Sequence, residues 1–159
     1  SYRAPELLLD CQTYTPAVDI WAAGCVLAEM FLHGKALFTG ENNAEMLANI
    51  TKIVGTPKPG DLESFQHTKK YPLFGVKTGE LKESLPSFTP PSFIDLLKKI
   101  FTFSPKKRLT AAQCMKHPFF ADLLLPTTAL PNGKPLPEYF NKMRTPDDML
   151  RNFPEGPQP

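Results

Sequence analysis

The sequence shows no marked excess of either charge and no long hydrophobic run. Its 18 basic and 16 acidic residues leave a net charge of +2, which gives no electrostatic reason to expect a nucleic-acid or membrane-surface partner. The apolar run that includes residues 22–28 is far shorter than the roughly 20 residues that a transmembrane helix needs. We therefore expect neither nucleic acid nor membrane among the partners.

Cysteine is scarce, and common ligand-binding patterns are absent. Cys11, Cys25 and Cys114 show no C-x-x-C spacing, which favours free thiols in a reducing compartment. The nine glycines form no G-x-G-x-x-G pattern, and the three histidines share no spacing typical of metal ligands. We therefore expect this segment itself to bind no cofactor and no metal.

Proline, in contrast, is abundant, with 18 among 159 residues, about twice the average usage. Many of the prolines fall in residues 58–89 and after residue 126, where the composition predicts turns and irregular structure. The last residues, 152–159, are predicted to be disordered.

The first of four predicted helices runs from about Thr15 to His33, with Thr15 as N-cap and Gly34 as its stop. Within residues 20–31 only Glu29 is charged, so the helix is apolar on every face and needs neighbours on several sides. The other predicted helices cannot cover all of these faces. Because the chain also starts abruptly in an apolar passage, we expect polypeptide upstream of Ser1 to cover the remainder.

Three further helices follow from apolar spacing and capping signals, and no strand is predicted. One spans Asn43 to about Val54, and the next follows Pro90-Pro91 with Ser92 as its N-cap. The last begins at Thr110, where Thr110 and Gln113 fit a capping box.

Several segments occur in the order and spacing of the C-terminal half of the large lobe of a eukaryotic protein kinase. They are RAPELLL (3–9), DIWAAGCVLAEM (19–30), GKALFTG (34–40), GTP (55–57) and SPKKRLTAAQCMKHPFF (104–120). The chain therefore resembles a mainly α, protein-kinase-like C-lobe helical subdomain, a fragment of an α+β two-lobe kinase. The resemblance implies a lobe part over residues 1–120, an extension packing on the lobe over 121–140, and a disordered tail over 141–159.

Within the protein kinases, Tyr2-Arg3 before Ala-Pro-Glu and the long segment 58–89 resemble the CMGC group. Residues 120–140 are similar to the segment after the last lobe helix of the glycogen synthase kinase 3 family. The mitogen-activated and cyclin-dependent kinase families are the alternatives.

The resemblance implies a Ser/Thr kinase that transfers the ATP γ-phosphoryl group to protein hydroxyls, in the cytoplasm and with the nucleus as a second location. ATP and Mg²⁺ would bind the full-length parent, whose catalytic Asp and D-F-G Asp have no counterpart here. This segment would be inactive alone, with no catalytic residue. The alternative from another class is a pseudokinase or a helical protein-interaction module.

By resemblance, Tyr2, Arg3, Ala4 and Pro5 line the pocket for the substrate residue that follows the phosphorylated Ser or Thr. Arg3 resembles a basic residue that pairs with a phosphate on the activation loop or on the substrate, a task that suits the guanidinium fork.

Four residues are implied as structural anchors. Glu6 and Arg108 pair across the sequence, and Asp19 orients the catalytic loop by accepting its N–H bonds, unless it serves only its own helix N-terminus. Trp21 is expected to pack near Pro5.

The resemblance also implies protein substrates, together with a scaffold-protein surface on the helix Asn43–Val54 and the loop that follows it. The alternative is that the aromatic residues of that loop, Phe65, Tyr71 and Phe74, pack against the lobe instead.

Overall fold

The computed structural model describes residues 1–72, 75–145, 147–148 and 151. Over these residues it is helical, with one isolated antiparallel bridge, Ala129 to Pro135, and no strand. The α-helices are α1 (Pro5–Leu8), α2 (Ala17–Phe31), α3 (Asn43–Val54), α4 (Pro91–Ile100) and α5 (Ala111–Met115). Short 3₁₀ helices occupy Leu62–Ser64, Pro105–Lys107, Pro118–Leu124 and Glu138–Met143. The prediction of a mainly α chain is confirmed.

The described part of the chain forms two compact units, one of residues 1–109 and one that begins at Thr110. The second unit contains α5 and two of the 3₁₀ helices, which contact each other. The division into residues 1–120, 121–140 and 141–159 stays a prediction.

The core of the first unit forms where α2 packs against α4. Gly24 allows the two helices to approach, since a Cβ atom there would lie 2.5 Å from Cγ2 of Ile100. Nearby, the rings of Phe31 and Phe93 stack with their centroids 4.1 Å apart. A small residue on one helix and aromatic pairs beside it therefore set the distance between α2 and α4.

One face of α2 stays uncovered. Asp19, Ala23, Val26 and Met30 are all exposed, and their spacing of i, i+4, i+7 and i+11 places them in a single stripe. Val26 is 50% exposed and Met30 72% exposed. The opposite face of α2 is buried, in agreement with the prediction that the other helices cannot cover this helix on all sides.

Two predicted helix starts are wrong by one or two residues. α2 begins at Ala17 instead of Thr15, although the Thr15 hydroxyl still accepts a hydrogen bond from the Ala17 N–H at 3.3 Å. α4 begins at Pro91, so Ser92 lies inside the helix and is not its N-cap. The fixed φ of proline suits the first helical position, which explains why the helix starts there.

α2 also ends two residues early, at Phe31 instead of His33. The predicted bounds of α3 and the predicted start of α5 agree with the structure. α3 spans Asn43–Val54, and the Asn42 side chain accepts a hydrogen bond from the Glu45 N–H at its start. Both bonds of the capping box between Thr110 and Gln113 are present in α5. The short helix α1 was not predicted from the sequence.

Among the described residues, no helix combines the length and apolar character that crossing a membrane requires. Two predictions, the packing of Phe74 and the disorder of residues 152–159, lie outside the described residues.

Candidate functional site

A buried ion pair joins the two ends of the first unit. The side chains of Glu6 and Arg108 are 1% and 0% exposed. Arg108 donates through Nη1 to Glu6 Oε1 at 2.9 Å and through Nη2 to Glu6 Oε2 at 3.1 Å. This two-point geometry compensates both buried charges, which neither residue could do alone. The structure thus brings together the two residues that the sequence analysis paired by resemblance.

Arg108 also contacts three other residues of the unit. Its Nη1 donates to the carbonyl of Ala17 at 2.7 Å, and its Nη2 to the carbonyl of Thr102 at 3.1 Å. Its guanidinium lies 5.1 Å from the centroid of the Trp21 ring, a distance typical of a cation–π contact. One side chain therefore ties α1, the start of α2 and the turn after α4 to each other.

Trp21 lies at the centre of an aromatic cluster and is completely buried. Its ring stacks on Phe38 with centroids 5.5 Å apart and meets the edge of Phe101 at 4.9 Å. Its indole N–H has no hydrogen-bond partner among the described residues. Trp21 thus contributes packing beneath Arg108, while its expected contact with Pro5 stays a prediction.

The four residues expected to line a substrate pocket differ in exposure. Ala4 and Pro5, at the N-terminal end of α1, are buried, whereas Tyr2 and Arg3 are exposed. Of these four residues, only Tyr2 and Arg3 therefore present their side chains to solvent, and they directly precede α1 in the sequence.

Tyr2 makes a contact that the sequence analysis missed. Its hydroxyl donates to both carboxylate oxygens of Glu29 in α2, at 2.9 and 2.8 Å. The hydrogen bond to Glu29 raises the pKa of Tyr2 above its ordinary value, because the phenol must stay protonated to donate. The sequence held one sign of this contact, because Glu29 is the only charged residue within residues 20–31. In the structure Glu29 positions the Tyr2 side chain.

Asp19 lies in the first turn of α2 and belongs to the exposed stripe of that helix. Its own N–H donates to the carbonyl of Pro16 at 3.0 Å. Its carboxylate is available to solvent or to another segment, and its expected role as an anchor stays a prediction.

The expected scaffold surface on α3 and the following loop is partly occupied by the chain itself. The hydroxyls of Tyr71 and Thr51 lie within hydrogen-bond distance, and the Tyr71 ring meets the edge of Phe103 with centroids 5.9 Å apart. This burial raises the pKa of Tyr71. For Tyr71 the alternative therefore holds, since the residue packs against the lobe.

No group of three or more His, Cys, Asp or Glu side chains within the described part of the chain could hold a metal ion. The three cysteines are free. Burial raises the pKa of the Cys25 thiol to about 12 and that of Cys114 to about 11, which keeps both thiols protonated and poorly nucleophilic at neutral pH.

Comparison with known proteins agrees with this geometry. The family model of the protein kinase domain matches residues 1–120. Glycogen synthase kinase 3 of Trypanosoma brucei brucei is 40% identical over 148 residues, which are 93% of this chain and 42% of the relative. The chain thus spans less than half the length of the curated relative that it matches. The resemblance to CMGC protein kinases, and to glycogen synthase kinase 3 among them, is confirmed. The chain belongs to the protein kinase family.

Proposed function

We propose that this chain supplies the peptide-substrate platform and helical base of a Ser/Thr protein kinase. The full-length protein would transfer the γ-phosphoryl group of ATP to Ser and Thr hydroxyls of proteins. Family membership supports the reaction class. The observation that carries the proposal is the buried pair of Glu6 and Arg108, which fixes α1, directly after Tyr2 and Arg3 in the sequence, to the helical base.

Phosphoryl transfer depends on positioning more than on covalent chemistry by the protein. A surface that holds the acceptor peptide must therefore be rigid. Arg108 makes four hydrogen bonds to three segments, which restrains the backbone of residues 4–6. The side chains of Tyr2 and Arg3 then project from a fixed base.

Within this platform we assign different tasks to the two exposed residues. Arg3 offers a guanidinium to a phosphate on the substrate or on the activation loop, which it can bind through two N–H groups. Tyr2 is oriented by its hydrogen bonds to Glu29 and packs beside the peptide. Both tasks are binding tasks, so no residue of this chain takes part in the chemical step.

Protein kinases use ATP and Mg²⁺ to neutralise and orient the transferred phosphate. The described residues do not fit either ligand, because they offer no cluster of metal-binding side chains and the sequence has no glycine-rich phosphate loop. We therefore assign the binding of ATP and Mg²⁺ to other parts of the full-length protein. Those parts would cover the exposed stripe of α2 and receive the Asp19 carboxylate. We expect this segment alone to have no kinase activity. Free thiols are typical of proteins in reducing compartments. This supports a location in the cytoplasm, with the nucleus as a second location.

Phosphorylation of a Ser-containing peptide by the full-length protein tests this proposal. With ATP and Mg²⁺ we expect radiolabelled phosphate to enter the peptide. Arg3→Ala should raise the KM for the peptide while the KM for ATP stays unchanged. Lys35→Ala, at another exposed basic residue, is the matched control and should change neither constant.

Absence of phosphate transfer by a folded full-length protein that still binds the peptide would favour a pseudokinase or a helical interaction module. An equal effect of Arg3→Ala and Lys35→Ala on the peptide KM would remove the assigned role of Arg3 and leave the reaction class intact.

A further inference from the structure

Three exposed lysines of the first unit, Lys58, Lys82 and Lys98, line cavities that do not include the candidate site. Within the described part of the chain, ion pairs of the first unit involve Lys52, Lys69, Lys99, Lys107 and Arg108, but none of these three lysines. Uncompensated cations on the wall of a concave surface favour the binding of an anionic partner.

Two cavities adjoin at Lys82 and Lys98, which line both of them. The first, of about 520 Å³, lies between the C-terminal ends of α3 and α4. The second, of about 610 Å³, lies at the N-terminal end of α4. The two adjoining cavities, with the two lysines that they share, are here called the Lys82–Lys98 groove.

The first cavity of the groove combines positive charge with an apolar floor. Lys58 and Lys107 line it in addition to the two shared lysines, against the acidic residues Asp61 and Glu83. Lys107 bonds Asp61 at 2.7 Å, which consumes one charge of each sign. The floor consists of buried apolar side chains, namely Ile53, Leu81, Phe101 and Phe103.

The second cavity offers an exposed aromatic anchor. Phe88 is 67% exposed and is flanked on the cavity wall by Pro86, Pro90 and Pro91. The buried hydroxyl of Thr89, on the same wall, has no hydrogen-bond partner among the described residues. An exposed ring beside prolines is a surface on which another apolar side chain can lose its water.

We propose that the Lys82–Lys98 groove is a docking site for an acidic protein segment whose Asp and Glu residues alternate with apolar ones. The cations are all lysines; the four of them line the first cavity, and two of these also line the second, where the one acidic residue, Asp95, is already paired with Lys99 at 2.7 Å. This arrangement suits several separate carboxylates. A single phosphate would favour an arginine fork. The apolar floor and Phe88 bind the side chains between the carboxylates. The groove overlaps the expected scaffold surface at the last residues of α3 and at residues 61 and 78–83 of the following loop, and it adds the C-terminal part of α4 and Phe88. It goes beyond the proposed transfer reaction.

Binding of a labelled peptide to the full-length protein tests this inference. The probe is a fluorescein-labelled peptide of about 12 residues in which Glu alternates with Leu and Phe, long enough when extended to span both cavities. Fluorescence anisotropy gives its Kd. We expect the double variant Lys82→Glu/Lys98→Glu to raise the Kd at least about tenfold, because both attractive charges become repulsive. The double variant Lys35→Glu/Lys70→Glu changes the net charge equally at exposed lysines of neither cavity, and its Kd should stay within about twofold.

The apolar part of the groove is tested separately by Phe88→Ala. Because Phe88 is mostly exposed, this variant should unfold at the same temperature as the unaltered protein. The Kd should nevertheless rise about fivefold, as expected for truncation of an aromatic contact in a binding surface.

Several results would overturn the inference. One is that the unaltered protein does not bind the acidic peptide. Another is that it binds a peptide with Gln in place of Glu equally tightly. A third is that both double variants raise the Kd of the acidic peptide by the same factor. Phosphatidylserine vesicles and single-stranded DNA are tested in parallel. Binding of either that is lost in Lys82→Glu/Lys98→Glu while peptide binding persists would also contradict the inference. Because every measurement is of binding, the outcome is independent of whether the protein transfers phosphate.

Discussion

Removing the Arg108 side chain should destabilise the protein more than any surface substitution. In Arg108→Ala the carboxylate of Glu6 stays buried, at 1% exposure, without its two charge-assisted hydrogen bonds. The carbonyls of Ala17 and Thr102 lose their donors as well. Breaking one side of a buried pair costs about 3–5 kcal/mol, against a typical net stability of about 5–15 kcal/mol. We therefore expect a loss of at least about a fifth of the stability and a loosened α1.

Urea unfolding of the full-length protein, followed by tryptophan fluorescence and circular dichroism, measures this loss. The matched control is Glu6→Leu/Arg108→Met, which removes both charges and keeps much of the side-chain volume. It should cost less than Arg108→Ala alone, since no buried charge is left unpaired.

A free energy of unfolding for Arg108→Ala within about 1 kcal/mol of the unaltered protein, together with unchanged peptide affinity, would refute the assigned role of the pair. A double variant that loses as much as the two single variants combined would show that Glu6 and Arg108 act independently.

The remaining predictions concern packing, ionisation and the substrate segment. Gly24→Ala should cost about 1–3 kcal/mol in urea unfolding, because the new Cβ would lie 2.5 Å from the Ile100 side chain. Burial raises the pKa of the Cys25 thiol to about 12, so on raising the pH the thiol loses its proton in the unfolded state before it does in the folded state. The free energy of unfolding should therefore fall as the pH rises from about 9 towards 12, and it should fall less steeply in Cys25→Ala. Tyr2→Phe, which removes the hydrogen bonds to α2, should raise the peptide KM of the full-length protein without changing its melting temperature. Thr110→Ala should cost about 1 kcal/mol by removing the N-cap of α5, and an unchanged unfolding midpoint would contradict that role.

The sequence predicted the helices well because their signals are local. The apolar stripes of α3 and α4 and the capping box of α5 each lie within a few residues. Helix starts near proline were less certain, because Pro16 and Pro91 can either precede a helix or begin it. The short helix α1 carries no apolar periodicity of its own and is stabilised by tertiary contacts of Glu6.

The candidate site was less accessible from local patterns. Residues 6 and 108 are too far apart in sequence for any spacing rule, so their pairing came only from the family resemblance. The contact between Tyr2 and Glu29 also joins distant residues, and nothing but the isolation of one charge in an apolar stretch indicated it. The groove at Lys82 and Lys98 depends on how residues 77–91 fold back on α3 and α4, which composition does not specify.

Photo-crosslinking of a bound substrate peptide tests most directly whether this chain forms the substrate platform. A Ser-containing peptide with a benzophenone side chain immediately after the phosphorylated Ser is irradiated on the full-length protein, and the linked residues are identified by mass spectrometry. We expect crosslinks within residues 1–5. A peptide that is phosphorylated efficiently but crosslinks only outside residues 1–5 would contradict the proposed platform.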